Sequence, residues 1–241
     1  MSYLSEVTAD SPVGWYRCKE ASGYLQDSSS HALHADEVHG SPTYSQTGPI
    51  TSEGGDTAIL CHSAGPDWWN IPYYASYDIA DVWSIECWIK RTGTSSAEQI
   101  IVCRDQGFYL GIITNQLFIA RTNVAGIAKS TTTITDTTTW HHLVNTKNAG
   151  TVKQYIDGRL ESSTITLTPG TTRATGNGAA NAAPIPTDVV WLGCRLTGKQ
   201  PERFRGELDE LFIADRGLEP QEIVSLMNNN RLPEPSVATA P

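Results

Sequence analysis

The feature that most constrains this chain is its hydrophobic period. Trp83-Ser84-Ile85-Glu86-Cys87-Trp88-Ile89-Lys90 alternates, so Trp83, Ile85, Cys87 and Ile89 share one face of an extended strand and Ser84, Glu86, Trp88 and Lys90 the other. Helix-period pattern is nearly absent elsewhere. Short apolar or alternating runs, cut by Gly, Pro, Asn and Asp, recur instead at Gln99–Cys103, Phe108–Ile113, Gln116–Arg121, Trp140–Asn145, Val152–Ile156, Val189–Cys194 and Glu207–Ala214. Thr114-Asn115 joins two of these runs as a hairpin, and Asp157-Gly158 reverses another into Arg159-Leu160. Many short strands with regular turn signals predict an all-β, two-sheet antiparallel sandwich.

One helix is expected. Pro220 suits a first-turn position, and Glu219 and Glu222 suit the positive end of the helix dipole. Ile223, Leu226 and Met227 form an apolar stripe, with an end near Asn228-Asn229-Asn230. Residues 1–231 are read as one domain and residues 232–241, with Pro233, Pro235 and Pro241, as an extended tail. The polar stretch 27–55 has room only for short edge strands, and 169–188 reads as a long loop.

The chain has 241 residues and a formal net charge of −9, with no basic stripe, which argues against nucleic acid as the main partner. No apolar run approaches the roughly 18 residues of a spanning helix. The opening MSYLSEVTADSPVGWY lacks the basic and apolar regions of a secretory signal. The expectation is synthesis in a cytoplasm, followed by retention, lysis or assembly into a virus particle.

Five cysteines, Cys18, Cys61, Cys87, Cys103 and Cys194, include no C-x-x-C pair, which removes zinc-ribbon and thioredoxin-like readings. Two readings stay open. The thiols are buried and reduced, or some of Cys18, Cys61 and Cys194 form an intermolecular disulfide in an assembly that matures after lysis.

Several segments follow one another in a telling order. They are Trp15-Tyr16-Arg17 with Glu20-Ala21-Ser22-Gly23, then Asp27-Ser28-Ser29, Ser84–Ile89 and Thr139-Trp140-His141-His142-Leu143-Val144. Tyr155-Ile156-Asp157-Gly158-Arg159-Leu160 and Arg205-Gly206-Glu207-Leu208-Asp209-Glu210-Leu211 complete the series, the last leading into Arg216–Ile223. Together they resemble the laminin G-like, concanavalin A-like jelly-roll family across residues 3–230. The opening Ser11-Pro12-Val13-Gly14-Trp15-Tyr16 also resembles versions carried by tailed bacteriophages. The resemblance implies two packed antiparallel sheets and a structural or adhesive protein of the virion surface, on capsid, neck, collar or tail. Its partners would be other virion proteins, further copies of itself, or a cell-surface glycan. A carbohydrate-binding module for host attachment is the alternative.

Some concanavalin A-like folds hydrolyse glycosides, using carboxylates on alternate strand positions, E-x-D-x-x-E or E-x-D-x-E, roughly 5 Å apart. Glu207-Leu208-Asp209 supplies the first half, but Leu211 and Phe212 stand where the second Glu belongs, and alternation sends Glu210 to the opposite face. Glu207 and Asp209 are therefore read as backbone-binding groups, and the chain as no enzyme. No G-x-S-x-G elbow is present. His142 is read as a core or edge residue and Asp157 as a turn residue.

Asp67-Trp68-Trp69-Asn70-Ile71-Pro72-Tyr73-Tyr74 concentrates aromatics. Trp69 and Ile71 are assigned to the core. Asp67, Trp68, Asn70, Tyr73 and Tyr74 are candidates for a glycan platform or a subunit contact, since aromatic faces stack on sugars and are enriched at interfaces. No cofactor is required. Calcium is the metal that the resemblance implies, since many relatives bind it through loop carboxylates and carbonyls, and Asp67, Asp105 and Asp188 are loop candidates of that chemistry with no assigned ligand set. His31, His34 and His39 with Asp36 and Glu37 offer zinc-type ligands at irregular spacing.

Overall fold

The structure is a computed structural model. It describes residues 2–62, 67–77, 79, 82–94, 97–104, 108–121, 127–148, 151–161, 165–166, 189–194 and 203–229. The proline-rich tail and the 169–188 segment, except its flank at 189, lie outside those residues.

In chain order the elements are α1 (Tyr3–Ala9), β1 (Gly14–Tyr16), β2 (Glu37–His39), β3 (Thr43–Thr47), β4 (Thr57–Cys61), β5 (Trp68–Ile71), β6 (Trp83–Arg91), β7 (Gln99–Arg104) and β8 (Phe108–Ile113). There follow β9 (Gln116–Arg121), β10 (Ile127–Thr133), β11 (His141–Asn148), β12 (Thr151–Ile156), β13 (Arg159–Leu160), β14 (Ile165–Thr166), β15 (Val190–Leu192), β16 (Gly206–Ala214) and α2 (Pro220–Asn229). The strands form two antiparallel sheets packed as a jelly-roll-like sandwich. One sheet has the order β13-β12-β11-β6-β16-β4-β3, with β1 added to β16 and β14 to β12. The other has the order β10-β9-β8-β7-β15-β5-β2. The short strands of the polar stretch, β2 and β3, lie at the sheet edges, where few side chains need burial.

Between the sheets lies the main core, which includes Trp69, Trp83, Ile85, Cys87, Ile89, Leu110 and Leu208. The alternating face read from β6 is thus the inner one. Its other face is buried as well: Ser84 and Glu86 have no exposure and Trp88 has 3%. A second cluster explains this, because Tyr3 and Val7 of α1 and Ile223 and Leu226 of α2 pack with Trp88, Val144 and Phe212 on the outer side of this sheet. Helix α2 ends at Asn229, as its sequence predicts. Helix α1 corrects the one-helix expectation. It is only seven residues long, too short to carry a periodic signal, and Ser2 caps it by accepting from Ser5 N.

The opening motif has an architectural role. Gly14-Trp15-Tyr16 pairs with Ile213-Phe212-Leu211 of β16. A Cβ on Gly14 would lie 2.2 Å from Tyr77 Oη, so only glycine lets Tyr77 close over this strand. That hydroxyl is 2.7 Å from Tyr16 Oη, which donates to Leu33 O.

Candidate functional site

The aromatic stretch 67–74 is divided by the alternation of β5. Trp69 and Ile71 enter the main core, as expected, and Trp68 and Asn70 face outward. Trp68 is nevertheless only 8% exposed, because the His39 ring stacks on it at 3.6 Å and 11°. The imidazole covers one face of the indole. Asp67 is 2% exposed and accepts from Ser41 N, His62 N and the His62 side chain, so it ties loop backbone together. Asn70 Nδ2 donates to Asp36 Oδ1. Tyr73 lies near the Arg104 guanidinium, 5.7 Å from ring centroid to Cζ, and Tyr74 packs on the core edge.

The zinc-type residues do not converge. His31 is exposed, His34 Nδ1 accepts from Asp27 N, and His39 pairs with Glu37. Of the calcium candidates, Asp67 is engaged by donors, and Asp105 and Asp188 lie outside the described residues. Cys18, Cys61, Cys87, Cys103 and Cys194 are all buried, and burial pushes the Cys194 thiol up to about 12.

Sequence reasoning missed a row of side chains on the outer face of the seven-stranded sheet. The strand register places Glu37, Asn70, Trp191, Cys103, Tyr109 and Ala120 successively across it. Trp191 and Tyr109 are half-buried and pack with Ile113 and Ile127 over Phe118 and Cys103. Trp191 stands beside the polar Asn70 on one side and the thiol of Cys103 on the other. The signal was available: Trp191 is a lone aromatic between Val190 and Leu192, both of which face the core.

The carboxylates of β16 differ from the alternation read in the sequence. Asp209 opposes Trp88 and Phe212 opposes Glu86, so Glu210 and Leu211 on β16 stand against the single Cys87 on β6. This is a β-bulge, with Glu210 in the left-handed region at φ 48°. The bulge turns Glu210 to the same side as Asp209, where Asp56 from the β3–β4 connection joins them. Ligand atoms of all three lie within 4.8 Å of one another, and all three residues are buried. Glu210 accepts from Trp15 Nε1 and from Arg17 Nε, and Arg17 also pairs with Glu53. Lys19 Nζ reaches Glu53 at 3.1 Å and Asp56 at 3.2 Å. Burial, then the neighbouring Glu210 charge, raises Asp209 well above the carboxylate range, and burial pushes Glu210 up to about 8 against the pull of Arg17. A readable signal existed here too. Leu208, Leu211 and Ile213 all face the main core, a change of parity that only an extra residue can absorb.

Glu207 pairs with Lys90 at 2.6 Å, and Asp209 Oδ1 accepts from Glu210 N. These carboxylates face the side of the sheet on which α1 and α2 pack.

A family model described as the concanavalin A-like lectin/glucanases superfamily matches residues 64–224. No curated protein matches the sequence. Among solved structures, one concerning botulinum neurotoxin type C, whose cell entry depends on interaction with two ganglioside molecules, is similar at TM-score 0.65 and 17% identity, over 95% of this chain and 53% of that one. The binding domain of botulinum neurotoxin DC, in complex with rat synaptotagmin II, is similar at TM-score 0.64 and 19% identity, over 93% of this chain and 52% of that one. The chain spans about half the length of these solved chains, and at such identity the likeness is one of fold.

Proposed function

The chain belongs to the concanavalin A-like lectin/glucanase superfamily, and on that premise we propose that it is a non-enzymatic adhesive protein of a bacteriophage particle, displayed on the capsid, neck, collar or tail. The observation that carries an adhesive role is the half-buried Trp191 and Tyr109 on the outer face of the seven-stranded sheet, flanked by Asn70 and Glu37. Aromatics set among polar groups supply contact area at low entropic cost, and they are enriched where proteins meet. The opposite sheet holds two helices on its outer face, which directs binding to the seven-stranded one. The virion setting rests on the resemblance of Ser11–Tyr16 to phage-borne versions of the fold.

Binding is favoured over catalysis by the state of the acids. Glu207 is neutralised by Lys90, Asp209 is fully buried, and apolar Leu211 and Phe212 take the place of a second catalytic Glu. A fold shared with glucanases does not transfer their chemistry without a carboxylate pair lining an open cleft.

A glycan-binding module for host attachment is the second reading. Trp191 beside Asn70 favours it, since a ring face next to an amide suits a sugar ring and its hydroxyls. Solved structures similar in fold over about half of their own length are linked to gangliosides in one case and to synaptotagmin in another.

The test is quantitative mass spectrometry of purified particles together with a glycan array and binding to particle proteins, each for the wild type and Trp191→Ala. Tens or more copies per particle, with particle binding lost in Trp191→Ala, support the virion role. Glycan binding lost in that variant moves the weight to the second reading. Absence from particles, or binding that ignores Trp191, overturns the proposal.

A further inference from the structure

We propose that Arg91 binds a small monovalent anion of halide type between the two sheets, at the end of the sandwich where β6 passes into β7. This holds whether or not the chain is an adhesin.

The first support is where the chain puts a cation. Trp83, Ile85, Cys87 and Ile89 of β6 face the main core, and the same alternation carries Arg91, the last residue of the strand, to that inner side. Arg91 is only 1% exposed. Among the described residues no carboxylate pairs with it. Asp136 is the acid whose charge reaches it, and that carboxylate is bonded to His141 at 2.7 Å. Burial lowers the Arg91 pKa from the ordinary guanidinium value, with Asp136 opposing, but arginine stays protonated. A buried cation without a counter-charge is costly, and an anion beside it relieves that cost.

The second is the arrangement of its donors. Nη1 donates to Asn115 Oδ1 at 2.9 Å and to Ile134 O. Nε and Nη2 are buried and bond to no protein acceptor. These two nitrogens form one edge of the planar guanidinium, with parallel N–H groups that can close on a single anion. Neutral acceptors thus hold one side of the group and leave the charged fork for a ligand.

The third is another buried polar group at the same end. Gln99 opens β7, which the 92–98 connection joins to the end of β6. It opposes Ile112, a main-core residue, so it too faces inward. Gln99 is 2% exposed, and neither polar atom of its amide has a partner. An inward amide N–H is a neutral donor of the kind that completes the shell of an anion. The surroundings set the ligand class. Ile134, whose carbonyl takes one Arg91 N–H, belongs to the main core with Leu117 and Ile112. Apolar walls strengthen the attraction for a single ion, and they would leave the further oxygens of a bulky oxyanion unsatisfied. Asn115, half-buried in the β8–β9 turn, is the neighbour that reaches solvent and marks the entry side.

The experiment uses the full chain. Thermal unfolding is followed at one pH and a constant ionic strength of about 0.2 M, so that screening is equal, while sodium chloride replaces sodium gluconate stepwise. Chloride is expected to raise Tm by a few degrees along a saturating curve, as one-site binding to the native state requires. Arg91→Met keeps an unbranched side chain, removes the charge, and should abolish the chloride response. Crystals grown in sodium bromide should show anomalous scattering beside Nε and Nη2 of Arg91. A Tm that changes linearly with chloride, or equally in the wild type and a folded Arg91→Met, would overturn the site. A bromide-grown crystal in which the fork meets only water or a side chain would do the same. Should Arg91→Met fail to fold, saturation in the wild type and the anomalous peak decide.

Discussion

His142 Nε2 lies 2.8 Å from Glu86 Oε1, and both side chains are wholly removed from solvent. The Tyr3 hydroxyl donates to the same oxygen at 2.9 Å, so a buried acid on β6 ties helix α1 to β11 through one atom. Tyr3→Phe retains the ring and deletes only the donor. It should cost about 1–2 kcal/mol, because a hydrogen bond to a charged acceptor is lost while Glu86 keeps His142. For a chain of this size that is a fall in Tm of roughly 2–8 °C. Earlier proteolysis near residues 3–9 would locate the loss at α1, and unchanged Tm and cleavage would deny the helix this anchor.

A second histidine makes stability depend on pH. His141 Nδ1 is 2.8 Å from Asp157 and Nε2 is 2.7 Å from Asp136. The bond to Asp157 raises the His141 pKa against burial, with Asp136 adding to it, and the bond to His141 draws Asp136 down to about 2. The histidine contribution is complete below the pKa of a free imidazole, about 6.5, and fades as pH rises through the raised native value. The Asp136 contribution is present above the ordinary carboxylate range and is lost as pH falls through about 2. His141→Asn should therefore cost most near pH 5, by roughly 1 kcal/mol after discounting for solvent exposure. The gap in Tm from wild type should narrow as pH rises through the raised native value of His141, and a gap that is flat with pH would contradict the pairing.

Trp68 and Trp191 should separate structure from recognition. Trp68 is 8% exposed beneath His39, so Trp68→Ala should lower stability by about 3 kcal/mol through lost burial. Trp191→Ala, at a half-buried outward position, should cost less in Tm and more in binding. Equal Tm losses from the two would show that Trp191 is a packing residue as well.

The five thiols should resist reagents. All are buried, and burial pushes Cys194 up to about 12, so the reactive thiolate is scarce and inaccessible. A thiol reagent should label the native chain slowly and the unfolded chain at all five positions. Native gels with and without reductant should match. Rapid native labelling of Cys18, Cys61 or Cys194 would restore the intermolecular disulfide.

The sequence by itself determined the architecture. Period-two alternation identified β6 and its core face, turn chemistry located the β8–β9 hairpin and the β12–β13 reversal, and the apolar stripe of α2 gave its bounds. Each of these is a local property, written in neighbours along the chain. It also placed Trp69 and Ile71 in the interior, because strand parity assigns faces without knowledge of the partner strand. Tertiary structure decided what lies over each face. Trp68 reads as an exposed platform until His39 from an edge strand stacks on it, and Glu86 reads as a surface residue until α1 and α2 pack on its sheet. The meeting of Asp56 with Asp209 and Glu210 is the plainest case. One bulged residue in β16 reverses the parity of Glu210, and only sheet pairing brings a loop some 150 residues distant in sequence against it. Such encounters depend on long-range closure of the chain, which no local pattern records.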